Sequence, residues 1–327
     1  MRQPFVDYVK TLAITLVLLY HCGFAKWTPM MPLLSMCVPL FFISSGYLRA
    51  GKVYTLKKTS IQIIKIIFLI VFWGTLSCIA TYITKGEDYT INSTLHDVIG
   101  LRLGYCNHLW FLATFAILLS THYFIQNLRK QQLLCALVIT FVCTFDFTKR
   151  YIFLINPFGG WHSYALTYYL AGMLIPYLCM CVQPQSGKYL KFIGNNKCLF
   201  LLLLLLTFYI CQFAINHITN TETFIARRLN VNVVGDTVFN AYHSFAVFAM
   251  TSIVFLLLRN CFSKRNSIIE FISNNVFTIY LLHGFAIRFI KLHTGNSVAI
   301  FAFTYSVTLI VTYILSKIKT SKYFLKI

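Results

Sequence analysis

Charge is scarce in this chain, and negative charge is scarcest. Charged side chains make up 11% of the 327 residues, where a soluble domain carries roughly a quarter. That deficit excludes an ordinary water-soluble globule. Only eight residues are Asp or Glu, nearly all in loops or at helix ends, so a carboxylate relay coupled to ion flow has few members to draw on. Cysteine pairs at metal-binding spacing are missing as well. The eleven cysteines include no CxxC. Most lie inside apolar runs, as Cys22, Cys78, Cys135, Cys143 and Cys211 do, and Cys179 and Cys181 form an isolated CxC. They read as small buried hydrophobes, with neither a metal site nor a disulfide framework. A continuous basic stripe is the last absence. The net charge of +20 is spread in short groups between apolar runs. That pattern fits the positive-inside rule and anionic headgroups, not nucleic acid.

Apolar residues supply what charge does not, at 58% of the chain. One helical span takes about twenty of them. Ten segments qualify, at roughly 8–25, 29–48, 61–84, 108–126, 132–147, 161–182, 198–218, 241–258, 275–293 and 297–316. The expected fold is all-α, a polytopic transmembrane helix bundle of about ten spans. The first run lacks a small-residue cleavage site and reads as a retained span. With the N-terminus inside, sixteen Lys and Arg fall on the inner side and seven outside, which favours both termini cytoplasmic. Arg288 and Lys291, near the outer end of the ninth segment, count against it. The longest connections, about 85–107 and 219–240, then lie outside. The expectation is one integral membrane domain over 1–327, with no appended soluble domain, in the cell (inner) membrane.

Several polar side chains sit where lipid penalises them by a few kcal/mol unless something pairs or uses them. In "DYVKTLAITLVLLYHCGF", Lys10 and His21 are eleven residues apart. Eleven steps of about 100° place both on one helix face, roughly 16 Å apart along the axis. Asp7 falls near the same line and can pair with Lys10 at i, i+3. Lys10 also suits snorkelling to the headgroups, and His21 an interfacial structural place. Three further islands follow. Ser44, Ser45 and Gly46 interrupt an apolar helix, His108 and Trp110 open the fourth segment, and Tyr280 and His283 stand within the ninth. Each has a plain reading as helix packing, an aromatic belt or a core histidine. Their coincidence points to function.

In this order the islands resemble the membrane-bound acyltransferase-3 family. Its members open with an Asp, a basic residue and a His eleven positions later, here Asp7, Lys10 and His21. A "VPLFFISSGY" helix follows at Val38 to Tyr47, then "HLWFL" at His108–Leu112 and "IYLLH" at Ile279–His283. "YALTYYLAGMLI", Tyr164–Ile175, resembles the family's mid-chain span. The likeness covers essentially the whole chain. Two features depart from it. Many members have Arg where Lys10 stands, and an arginine-rich entry to the third helix. Here that entry reads "LKKTSIQIIKII", with lysines alone, which offer point charges instead of rigid forks.

The resemblance implies transfer of an acyl group, usually acetyl, from acyl-coenzyme A to a sugar hydroxyl on an envelope or exported glycan, free or lipid-linked. Acyl-CoA is then a donor substrate, with no permanently bound cofactor and no metal. Lys10, Lys57 and Lys58 would meet its phosphates at the cytoplasmic end. His21 would act as general base or carry the acyl group as an acyl-imidazole; the residues leave both open. Asp7 would position Lys10. His108 is a candidate second proton carrier, and Ser45, Trp110, Tyr280 and His283 would line the acceptor site. The rival reading is a transporter or flippase for a glycan or small metabolite, whose polar seam lines a path.

Overall fold

The computed structural model describes residues 2–85, 109–144, 163–181, 197–228 and 244–318. Every regular element among them is a helix, with no strand. In chain order these are α1 (Pro4–His21), α2 (Met31–Leu34), α3 (Cys37–Arg49), α4 (Leu56–Lys85), α5 (Trp110–Ile125), α6 (Lys130–Thr144), α7 (Ser163–Cys181), α8 (Lys197–Arg228), α9 (Phe245–Cys261), α10 (Ser267–Asn274), α11 (Val276–Lys291) and α12 (Ser297–Lys317). Two 3-10 turns, Phe24–Lys26 and Thr28–Met30, join α1 to α2.

A helix stands at each of the ten apolar segments, but the ends differ for reasons visible in the sequence. α1 begins four residues before the expected 8 because Pro4 occupies its first turn, where the missing N–H costs nothing and φ is already helical. It stops at His21, and Gly23 takes the left-handed φ of 103° that turns the chain away. α4 starts before its apolar run because Thr55 caps it, its Oγ1 accepting from Lys58 N at 3.3 Å. α8 has no Gly or Pro from 197 to 228, so nothing halts it at the end of the apolar stretch. It continues through Arg228, and the expected connection at 219–240 is therefore helical over its first part. The second segment is broken at Ser35 and Met36, between α2 and α3.

Among the described residues, three stretches, Met31–Arg49, Leu56–Ile83 and Ser297–Lys317, are long and apolar enough to cross a membrane. α12 shows the solvent that surrounds it. Thr304, Thr308 and Thr312 point inward, almost wholly buried, while Phe303, Val307, Ile310 and Ile314 are exposed. A soluble surface helix has the reverse arrangement.

The chain divides into two units interleaved in sequence. The first comprises Met1–Gly51 and Leu128–Ser273. Its tightest joint is α3 on α7. A Cβ on Gly46 would stand 1.9 Å from Tyr169 O, and one on Gly172 2.1 Å from Ile43 O. Both glycines are therefore required by backbone approach, the small-residue packing of membrane helices. Around this joint Tyr164, Tyr168 and Tyr169 are fully buried. At the start of α1, Phe5 meets Tyr47 of α3 and Phe255 of α9 edge-on, with centroids 5.3 and 5.5 Å away. The second unit comprises Lys52–Asn127 and Asn274–Ile327. Its core joins Ile66, Leu69, Trp73 and Cys78 of α4 to Leu112 and Leu119 of α5 and Leu281 of α11.

Candidate functional site

In the first unit, the seam on α1 is tied at its lower end to the amphipathic helix α10. Arg2 grips Asp7 with two parallel hydrogen bonds, Nε to Oδ2 and Nη2 to Oδ1, both 2.9 Å. The same guanidinium reaches Glu270 Oε1 through Nη1, also at 2.9 Å. Ser273 Oγ donates to Asp7 Oδ1 at 2.6 Å, and Thr11 Oγ1 to Ile269 O at 3.4 Å. Hydrogen bonding to Asp7 pushes the already high pKa of Arg2 upward, against a smaller opposing effect of burial. Asn266 Oδ1 starts α10 by accepting from Ile268 N and Ile269 N. The fork-on-carboxylate geometry is the strong form of such a contact.

The carboxylate of Asp7 is thus held by groups other than the expected Lys10. Among the described residues its partners are Arg2 and Ser273, and no ion pair joins it to Lys10. The i, i+3 register brings Lys10 into the electrostatic reach of Asp7 without a bridge, because Arg2 arrives from outside the helix with a better fork. Lys10 is half-buried. A charge so placed is favourable only with a counter-charge, and no described carboxylate lies within bridging distance.

His21 is the last residue of α1 and is exposed, its ring edge-on to Tyr20 at 5.3 Å. One helix thus carries a half-buried ammonium and an exposed imidazole on one face. Ser45 is half-buried and donates to Phe41 O at 2.8 Å. Ser44 likewise turns onto Leu40 O. Both hydroxyl protons are committed to their own helix, leaving Ser45 an acceptor toward anything else.

The second unit holds the remaining predicted residues except His108, which lies outside the described residues. Tyr280 and His283 share the first half of α11. His283 is 1% exposed, and its Nδ1 bonds Tyr280 O. A carbonyl only accepts, so Nδ1 carries a hydrogen and donates it. Phe111 of α5 packs on the Tyr280 ring at 5.4 Å, with Trp110 beside it at 6.5 Å. Tyr280 and His283 thus meet ring to ring at 5.5 Å, and Trp110 is connected to them through Phe111.

Lys57 and Lys58 are exposed in the first turn of α4. Lys58 Nζ lies 4.8 Å over the Tyr54 ring. The lead-in to this turn is clamped by the end of α5. Gln126 Oε1 accepts from Tyr54 N at 2.7 Å and its Nε2 donates to Tyr54 O at 3.1 Å. His122, 1% exposed, donates from Nε2 to Lys52 O at 3.3 Å, with its ring edge-on to Tyr54 at 5.5 Å.

Sequence reading did not single out Arg2, Glu270, Ser273, His122 or Gln126. Glu270 had a signal, as one of eight acids in a cationic chain. Among the described residues no cluster of three or more His, Cys, Asp or Glu could hold a metal.

A family model described as an acyltransferase domain matches residues 3–317. Comparison with curated proteins and with solved structures gives no match.

Proposed function

The chain belongs to the acyltransferase-3 family of membrane proteins, and on that premise we propose that it transfers an acyl group, usually acetyl, from cytoplasmic acyl-CoA to a hydroxyl of an envelope or exported glycan. The observation that carries this reading is Lys10. It is half-buried, has no bridging carboxylate among the described residues, and shares a helix face with His21 roughly 16 Å further along the axis. A phosphate of the donor supplies the missing counter-charge. Lys57 and Lys58 add two exposed cations at the start of α4.

In the reaction, the acceptor hydroxyl attacks the thioester carbonyl. The C–O bond forms, the C–S bond breaks, and the hydroxyl proton ends on the departing coenzyme A thiol. His21 takes that proton first in the general-base form. In the acyl-imidazole form its nitrogen attacks the thioester, and the acceptor then attacks the acyl-imidazole. Both routes place the imidazole at the reacting carbonyl. Trp110, Tyr280 and His283 offer aromatic ring faces suited to a sugar acceptor, with His108 a second proton carrier. In this reading the chain has about ten spans with both termini cytoplasmic, the donor approaching from inside and the acceptor from outside.

Donor binding tests the premise about Lys10. In lipid nanodiscs, a non-hydrolysable acetyl-CoA analogue binds wild-type protein, and Lys10→Ala weakens binding roughly tenfold, about 1.4 kcal/mol. Lys10→Arg retains it. Unchanged binding in a folded Lys10→Ala variant overturns the assignment.

A further inference from the structure

We propose that Cys198 and Cys261 are a reactive dithiol that a peroxide converts to a disulfide tying α8 to α9. Cys198 opens α8 and Cys261 closes α9, and the two helices pack closely within the first unit. They run antiparallel, since Phe208 meets Phe245 further along and Gln212 accepts from Ser244 beyond it. Residues 63 positions apart are thereby brought sulfur to sulfur at 3.3 Å. A disulfide bond is about 2.0 Å long, so closure needs an approach of little more than about 1 Å, within reach of a small side-chain rotation.

Among the described cysteines, access singles out this pair. Cys22, Cys37 and Cys78 are buried. Cys135 and Cys211 are exposed, but in the middle of α6 and α8 beside the exposed apolar residues Leu134, Val138 and Ile210. Cys198 and Cys261 are at helix ends. The hydrogen bond to Cys198 pushes the Cys261 thiol pKa up, with burial and the neighbouring sulfur's charge adding to it.

The electrons balance with hydrogen peroxide as oxidant. The Cys198 thiolate attacks one peroxide oxygen, the O–O bond breaks, and a sulfenic acid and one water result. The Cys261 thiol attacks the sulfenyl sulfur, the S–O bond breaks, and a second water leaves. Two thiols lose two protons and two electrons, and one peroxide becomes two waters. The bridge fixes the end of α9 on which α1 leans, since Phe262, next to Cys261, packs on Tyr8 at 4.6 Å. The proposal is independent of the acyl-transfer reading.

The test treats the full chain in nanodiscs with hydrogen peroxide, alkylates remaining thiols, and digests without reductant for mass spectrometry. The expected product is one linked peptide pair holding Cys198 and Cys261. It is absent after dithiothreitol and in Cys198→Ser and Cys261→Ser, and kept in Cys135→Ser. Oxidation also raises the melting temperature of wild type and not of Cys198→Ser. Recovery of both peptides unlinked, singly alkylated or over-oxidised, overturns the proposal, as does a link that joins two chains.

Discussion

Arg2 takes both oxygens of Asp7 while Ser273 donates to one of them, so the carboxylate balances a guanidinium, and the proposed reading gives the ammonium one turn along α1 to a phosphate of the donor. Removing the acid should therefore cost stability before it costs chemistry. Asp7→Asn keeps the size but loses the charge, and a partly buried fork pair of this kind contributes about 1–3 kcal/mol. Thermal unfolding in detergent should show a clear fall in melting temperature, and Ser273→Ala a smaller one. No change in Asp7→Asn would contradict the arrangement. Asp7, Lys10 and His21 were legible because one helix period relates them. Ser273 was not, since it reaches Asp7 from 266 positions away, and no local pattern announces such a contact. Arg2 was passed over because it precedes the apolar run that drew attention to α1.

At the scale of helices, apolar length located the segments and composition misjudged their ends. α4 and α8 outrun their lipid-compatible stretches because capping and the absence of Gly or Pro, not hydropathy, decide where a helix stops. The α3–α7 joint was half visible, since Gly46 was legible as a packing residue while its partner backbone on α7 was not. Gly46→Ala drives a methyl against Tyr169 O, and overpacking of this sort costs about 1–3 kcal/mol or more. The expected result is a lower yield of folded protein and a lower melting temperature, checked by fluorescence size-exclusion chromatography. Gln126→Ala, in contrast, removes two hydrogen bonds to Tyr54, worth about 1–2 kcal/mol together. It should loosen the lead-in to Lys57 and Lys58 and weaken donor-analogue binding severalfold, while Gln126→Glu restores only the bond from Tyr54 N. Wild-type affinity in Gln126→Ala would show that the clamp does not position those lysines.

For the whole molecule, the account needs a sidedness that matches its two substrates. The topology expected from the distribution of Lys and Arg would have Asn127 inside and Gly295 outside. Both positions are exposed, and nothing lies within 4 Å of a Cβ built at Gly295. In intact cells a membrane-impermeant maleimide should label Gly295→Cys above the native background and Asn127→Cys only after permeabilisation. The reverse pattern would place acyl-CoA on the wrong side of His21. Acyl transfer itself is the central claim, and the most direct measurement follows the fate of radiolabelled acetyl-CoA given to the nanodisc-embedded protein with envelope glycan, comparing wild type with His21→Ala. The account predicts label on the glycan and free coenzyme A from wild type, and a loss of at least a hundredfold in folded His21→Ala. Transfer that persists in that variant would remove His21 from the chemistry, and donor left intact by folded wild-type protein in the presence of glycan would contradict the proposed reaction.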